Sequence, residues 1–275
     1  ARTGGMLSPF SGSPTGVPAR MPGDRRVQRW GLSMAQWIEA VEESWPGPIA
    51  HEYRRLRELV ESMDSHPEIA PGAVLQFRDV IEVLIKLPLV AMLRDFAEHE
   101  PNSKAVQQIR GLLLNKAPSL GDWMQAADHI ASEIAVNPSL RRDLKTARVA
   151  SLFRISRAQG KPRQSGFGAV LRNLVSWRNE EIGHGAHRLD NEETRNDLRA
   201  KIEELNTELA ACLAEGPPWE GLDFVVEEDD GTRTVLRGHH SIRSRHDGLS
   251  PSDHGDQPAK VLLTSTTEGD DLDLG

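Results

Sequence analysis

The sequence predicts a mainly α protein, in which a multi-helix bundle is followed by a small β-rich C-terminal appendage. Apolar residues recur at three- and four-residue spacing from about Ser33 to Cys212, which is the period of an amphipathic helix. A Gly-Pro-Pro run at 216–218 ends this pattern, and alternating apolar residues around an Asp-Asp-Gly turn follow it. We therefore divide the chain into a flexible N-terminal segment (residues 1–30), a helical domain (31–215) and an acidic β appendage (219–275).

The helical pattern begins after a lead-in that is rich in Gly, Pro, Ser and Arg and has little to bury. Ser33 is a suitable N-cap for a helix over Met34–Trp45. The run Trp-Pro-Gly-Pro at 45–48 predicts a break. A second helix is predicted over Ile49–Ser65, and two Pro-containing stretches after it predict a loop.

The segment Ala73–Glu98 is the strongest candidate for a central helix. Its apolar residues cover most of a helix circumference, which is typical of a helix buried inside a bundle. Pro88 should kink or split this helix because proline removes a backbone donor. The remaining polar strip carries charged residues four apart that can pair with one another: Arg78, Glu82 and Lys86.

Five further helices are predicted before the appendage. The first four are Ser103–Asn115, Leu120–Val136, Ser139–Gln159 and Phe167–Ile182. Asp190 and Glu193 form an N-terminal box for the last one. That last helix carries one apolar seam: Leu198, Ile202, Leu205, Leu209 and Cys212. We expect Cys212 to be a small, buried hydrophobic residue.

Four short strands are predicted in the appendage. They are Leu222–Glu228, Thr232–Gly238, Val261–Thr264 and Leu272–Leu274. The first two flank the Asp-Asp-Gly turn and should form a hairpin.

Composition excludes several classes of protein. A hydrophobic content of 38% is too high for a wholly disordered chain. The single cysteine excludes a disulfide framework and a multi-cysteine metal site, so we expect a reducing, cytoplasmic location. We expect no membrane association, because the longest apolar stretch, Val80–Leu93, is shorter than the roughly 20 residues that a bilayer needs. The chain begins with Ala1, and we expect it to be one module of a longer protein.

Charge is distributed unevenly along the chain. The net charge of −8 argues against a protein that coats nucleic acid. Residues 139–178 nevertheless carry ten basic residues and one acidic residue. This stretch fits either a solvated helix face paired with acidic neighbours or a local binding surface for a phosphate backbone.

The clearest chemical motif lies at the end of the helix predicted over Phe167–Ile182. Arg178 continues the apolar stripe of that helix, where an arginine is costly unless it is paired or faces a cleft. Asn179 follows it directly. His184 comes after five intervening residues, between two glycines that can end or bend the helix.

This arrangement of Arg178, Asn179 and His184 resembles the Arg–polar–His signature of the HEPN superfamily of helical bundles. The resemblance covers roughly residues 50–214. It implies metal-independent cleavage of RNA by an all-α domain that forms a homodimer or larger oligomer, in which two motifs face one cleft. It also implies a setting in a larger bacterial defence or toxin protein, together with further domains of the same chain.

The resemblance implies a role for each residue of the motif. His184 would be the general acid/base at the ribose 2′-OH or at the leaving oxygen, a task that suits an imidazole with a pKa near 7. Arg178 would hold the scissile phosphate, and Asn179 would orient the histidine or the phosphate. We expect no metal and no cofactor. Further RNA-binding candidates in the basic stretch are Arg157, Lys161, Arg163 and Arg172.

Two alternatives remain open. Arg178 is also placed to pair with Glu180, Glu181 or Asp190 at a helix end, with His184 as a C-terminal cap. The chain would then be a non-catalytic module for dimerisation or sensing, or one that binds RNA or nucleotides without cleaving them.

Overall fold

The computed structural model describes residues 36–114, 117–153, 157–158, 161–162, 166–181, 192–228, 231–240, 260–265 and 271–274. These residues all fall in one compact unit, Ala35–Gly275. Most of them are helical, and a small antiparallel sheet lies near the C-terminal end. The predicted fold class, a mainly α bundle with a small β-rich appendage, is therefore confirmed. The predicted flexible segment 1–30 lies outside the described residues.

The described helices follow the predicted order. They are α1 Glu39–Ser44, α2 Gly47–Ser62, α3 Ala70–His99, α4 Lys104–Leu114, α5 Leu120–Val136, α6 Pro138–Asp143, α7 Ala147–Leu152, α8 Phe167–Glu181 and α9 Glu192–Glu215, with a 3-10 turn at Pro67–Ile69. Of the predicted break at 45–48, only Trp45 and Pro46 separate α1 from α2, since α2 already begins at Gly47. The predicted bounds of α5 are confirmed at both ends, since Ser119 and Asp122 form a capping box at its start.

The central element is α3, as its apolar circumference predicts. It packs against α2, α5, α7 and α8. Its inward residues are fully buried, and they include Phe77, Val80, Ile81 and Leu84. Pro88 lies inside the unbroken helix and is itself buried, so of the two predicted effects, a kink or a split, the split does not occur. Packing on several sides holds the helix together across the hydrogen bond that proline removes.

The prediction of a single helix over Ser139–Gln159 is wrong, because a turn divides this stretch of chain into α6 and α7. The cause is a buried carboxylate on α3. Asp95 is only 1% exposed, and its Oδ2 accepts hydrogen bonds from the Thr146 backbone N–H (2.7 Å) and from the Thr146 hydroxyl (2.8 Å). Residues 157–158, in the last turn of the predicted helix, instead form a strand, β1, which pairs with β2 at 161–162 in a two-stranded ladder.

The sheet contains β3 Leu222–Glu227, β4 Arg233–Val235, β5 Lys260–Ser265 and β6 Leu272–Asp273, in the order β4-β3-β5-β6. The predicted hairpin is confirmed, with Val225 opposite Val235. The sheet is joined to the helices where Gly47 N–H donates to the Leu236 carbonyl at 2.8 Å. Gly238 is required at this junction: its φ is +70°, and a Cβ there would lie 2.6 Å from the Glu43 carbonyl oxygen.

The seam of α9 is buried as predicted up to Leu209, but Cys212 is only partly buried. Cys212, predicted to be a small buried hydrophobic residue, packs against the core but is only partly buried, because the seam reaches the surface in the last turn of α9. Burial, with the nearby Glu208 and Glu215 carboxylates, still raises the pKa of the Cys212 thiol to about 11. The thiol is therefore protonated and unreactive at neutral pH.

A buried polar network ties α2 to α9. The Tyr53 hydroxyl donates to Asn206 Oδ1 (2.8 Å) and accepts from the Ile38 backbone N–H (3.2 Å), and burial raises its pKa. Replacing Tyr53 by phenylalanine should lower the free energy of unfolding by about 1–2 kcal/mol, because both partners lose a hydrogen bond. Urea denaturation measures this change. An unchanged free energy would show that the network contributes nothing to stability.

Candidate functional site at the end of α8

The position of Arg178 is fixed by its neighbour on α8. Trp177 packs edge-on against Phe77 of α3, with ring centroids 5.6 Å apart. Its indole N–H donates to Asp197 of α9 at 2.5 Å. Leu174, one turn earlier, is fully buried. Together these contacts hold the last turn of α8 between α3 and α9, and they place Arg178 beside α3.

The side chain of Arg178 is 29% exposed and only loosely held. Its Nη2 lies 3.8 Å from Glu82 Oε1 on α3, and its Nη1 donates to Asn179 Oδ1 at 3.1 Å. Its Nε is buried and has no hydrogen-bond partner among the described residues. The guanidinium therefore retains N–H donors that have no acceptor among the described residues. Buried donors in proteins normally have an acceptor.

Glu82 has one closer partner than Arg178, which is Lys86. Its Oε2 accepts from Lys86 Nζ at 2.7 Å, and Arg78 Nε lies 4.0 Å from its Oε1. The predicted pairing of Arg78, Glu82 and Lys86 along α3 is thus confirmed. Because three cations share one carboxylate, the charge of Arg178 is only partly compensated. The described side chain of Glu180 makes no ion pair with Arg178, and Glu181 and Asp190 lie outside the described side chains.

The other half of the motif lies outside the described residues. His184 is not among them, and neither is Arg163. The backbones of Arg157 and Lys161 lie in β1 and β2, but their side chains are outside the description. Convergence of His184 with Arg178 therefore stays a prediction, as do the three RNA-binding residues of this loop.

Arg172, the remaining predicted RNA-binding residue, has a partner within the fold. Its Nη1 donates to Asp128 Oδ2 of α5 at 2.6 Å. Burial raises the pKa of the Asp128 carboxyl, and the Arg172 charge opposes that rise. This ion pair joins α5 to α8, so Arg172 would have to share its guanidinium in order to contact RNA.

A second basic feature, which sequence reasoning did not single out, lies between α6–α7 and the sheet. We call it the basic cleft; it measures about 540 Å³ and is lined by Arg141, Arg142, Lys145 and Arg148 on the helical side. All four belong to the basic stretch 139–178. The charge count indicated this region, but it gave no reason to separate these four from the other six.

A third feature is a groove of about 590 Å³ between α2, α3 and the β5–β6 edge of the sheet. Its apolar part includes Val83, Leu87 and Val261, and Glu82 and Lys86 line it as well. Since Glu82 also faces Arg178, this groove lies next to the end of α8. The described residues contain no group of three or more His, Cys, Asp or Glu side chains placed to hold a metal ion.

Neither a family model, nor a curated protein, nor a solved structure matches this chain. The HEPN resemblance therefore depends on the motif and its helical context alone. Across the described ranges, none of the helices combines the length and the apolar character needed to cross a bilayer.

Proposed function

We propose that this chain is a HEPN-like module that cleaves RNA without a metal ion. Arg178 holds the scissile phosphate, His184 transfers protons, and Asn179, which accepts a hydrogen bond from Arg178, orients the histidine or the phosphate. The observation that carries the proposal is the guanidinium of Arg178, which is partly exposed at a helix end and whose Nη2 lies 3.8 Å from the Glu82 carboxylate, a distance that leaves its charge loosely paired. A phosphate provides the acceptors that such a group lacks.

The chemistry assigned to the motif is a transfer at phosphorus. His184 removes the proton from the ribose 2′-OH, whose oxygen attacks the neighbouring phosphorus. The bond from phosphorus to O5′ breaks, and the leaving oxygen takes a proton. The products are a 2′,3′-cyclic phosphate and a 5′-hydroxyl end. In a homodimer with two facing motifs, the second copy's His184 supplies the proton for the leaving group. Arg178 stabilises the charge that grows on the phosphoryl oxygens.

Glu82 is a competitor in this proposal. It lies against Arg178 in the unbound protein, and phosphate replaces it when RNA binds. The exchange costs little because Glu82 keeps its closer partner, Lys86, at 2.7 Å. Homodimer formation and a role in antiviral defence or as a toxin belong to the same proposal and depend on the family resemblance alone. A location in the cytoplasm also belongs to it and depends on the single cysteine.

Two substitutions at this ion pair separate the catalytic proposal from a structural role. With EDTA present, Arg178→Ala should lower the rate of RNA cleavage by about 10²–10³-fold, because a charged donor at the reacting phosphate is lost. Glu82→Gln should leave cleavage unchanged or faster, because it removes the competitor and keeps Arg178. Gel analysis of labelled RNA under single-turnover conditions measures both rates.

The control variant is Arg110→Ala, which removes an exposed arginine on α4 and should change nothing.

The second candidate function is a non-catalytic dimerisation or sensor module. The contact between Arg178 and Glu82 favours it, since an ion pair between α8 and α3 needs no RNA. In that case RNA stays intact with the unmodified chain, and Arg178→Ala and Glu82→Gln both lower the free energy of unfolding.

A further inference from the structure

The basic cleft brings cations from three consecutive pieces of chain to one place. Arg141 and Arg142 lie in the last turn of α6, Lys145 lies in the turn, and Arg148 lies in the first turn of α7. The opposite wall comes from the entry to the sheet and the end of β5, with Glu220 and Ser265 among its residues.

Positive charge dominates the lining of the cleft. Four basic side chains face two carboxylates, Asp143 and Glu220. Arg142 Nε donates to Asp143 Oδ1 at 3.2 Å, and Arg148 forms an ion pair with Glu220. Arg141 has no side-chain partner among the described residues. These exposed pairs are weak, so the cleft keeps the ability to attract an anion.

The backbone that carries these cations is held in place from below. Leu140 and Leu144 are buried on either side of the arginines, and Val149 anchors α7. The Asp95 carboxylate fixes the turn through its two hydrogen bonds to Thr146. The cations therefore project from an ordered turn, which lowers the entropy that a ligand must overcome on binding.

We propose that the basic cleft binds the phosphate backbone of single-stranded RNA. The choice of RNA as the ligand rests on the proposed function. The claim that the basic cleft binds phosphate groups rests on the charges of its lining residues. On α3, Asp95 fixes the turn beneath the cleft and Glu82 faces Arg178. Thirteen residues at 1.5 Å each separate them by about 20 Å. At 3.4 Å per stacked nucleotide, a stacked strand that reaches both places needs about six nucleotides.

Fluorescence anisotropy of a labelled 12-nucleotide RNA tests whether the basic cleft binds RNA. The protein is the full chain with His184→Ala, so that any cleavage cannot consume the RNA. Adding Arg141→Ala and Arg142→Ala should lower the salt dependence of log K by about 1.4, since each phosphate contact on a single strand contributes about 0.7. At 0.1 M salt this corresponds to binding weaker by about 25-fold.

Glu220→Gln should act in the opposite direction, with binding tighter by about fivefold at 0.1 M salt because it frees Arg148. A gain in affinity cannot result from misfolding. The matched control is Lys104→Ala with Arg110→Ala, which removes two exposed cations from α4 and should leave binding unchanged.

Three results would contradict the proposal that the basic cleft binds RNA. They are unchanged binding after Arg141→Ala and Arg142→Ala, an equal loss in the α4 control, and full displacement of the RNA by 10 mM inorganic phosphate at constant ionic strength, which would indicate a small-anion site. Cleavage by the unmodified chain is measured separately. Intact RNA together with binding that depends on the cleft would contradict only the proposed cleavage, whereas cleavage without dependence on the cleft would contradict only this inference.

Discussion

Replacing Asp95 by alanine is expected to lower the free energy of unfolding by about 3 kcal/mol. The carboxylate is 1% exposed and accepts two hydrogen bonds from Thr146, at 2.7 and 2.8 Å. Hydrogen bonds to a charged acceptor contribute about 1.5–3 kcal/mol each, and two bonds on one oxygen are not fully additive. The substitution also leaves the buried Thr146 donors without an acceptor. Urea denaturation followed by tryptophan fluorescence measures the change.

Two further variants make this prediction specific. Asp95→Asn keeps an acceptor oxygen without the charge, and it should cost roughly half as much. Glu98→Ala removes an exposed carboxylate one turn along α3 and should change stability by less than about 0.5 kcal/mol. If Asp95→Ala were as stable as Glu98→Ala, the turn between α6 and α7 would not depend on this carboxylate.

The turn between α6 and α7 shows which parts of the fold could not be predicted from the sequence. Apolar spacing and Pro-Gly signals predicted the breaks around α2, the bounds of α5 and the four strands, because those signals are local. Between 144 and 146 there is no Gly or Pro to announce a turn. The turn depends on a residue about fifty positions earlier in the chain, and periodicity cannot show such a contact.

The candidate site, like the fold, could be predicted from the sequence only in part. The stripe of α8 predicted that Arg178 would lie against the bundle, and the structure places it beside α3. Its partner Glu82 could not be chosen from the sequence, because the nearer carboxylates Glu180, Glu181 and Asp190 were equally plausible on spacing. Likewise, the charge count located the basic stretch, but only the fold shows which four of its residues share the basic cleft.

The second large effect is expected at the histidine of the motif. His184→Ala should lower RNA cleavage by at least about 100-fold, because a general acid/base contributes about 10²–10⁴-fold to such a reaction. His187→Ala is the matched control, since it removes a second histidine three positions away and should retain full activity. Equal losses in both variants would contradict the assignment of His184.

The central claim is that the Arg178–His184 motif cleaves RNA through the ribose 2′-OH without a metal ion. End-group analysis of RNA incubated with the unmodified chain in EDTA tests it most directly. The proposal predicts fragments that end in a 2′,3′-cyclic phosphate and begin with a 5′-hydroxyl, and it predicts that an all-2′-deoxy strand of the same sequence remains intact. Uncut RNA, or equal cutting of the 2′-deoxy strand, would contradict it.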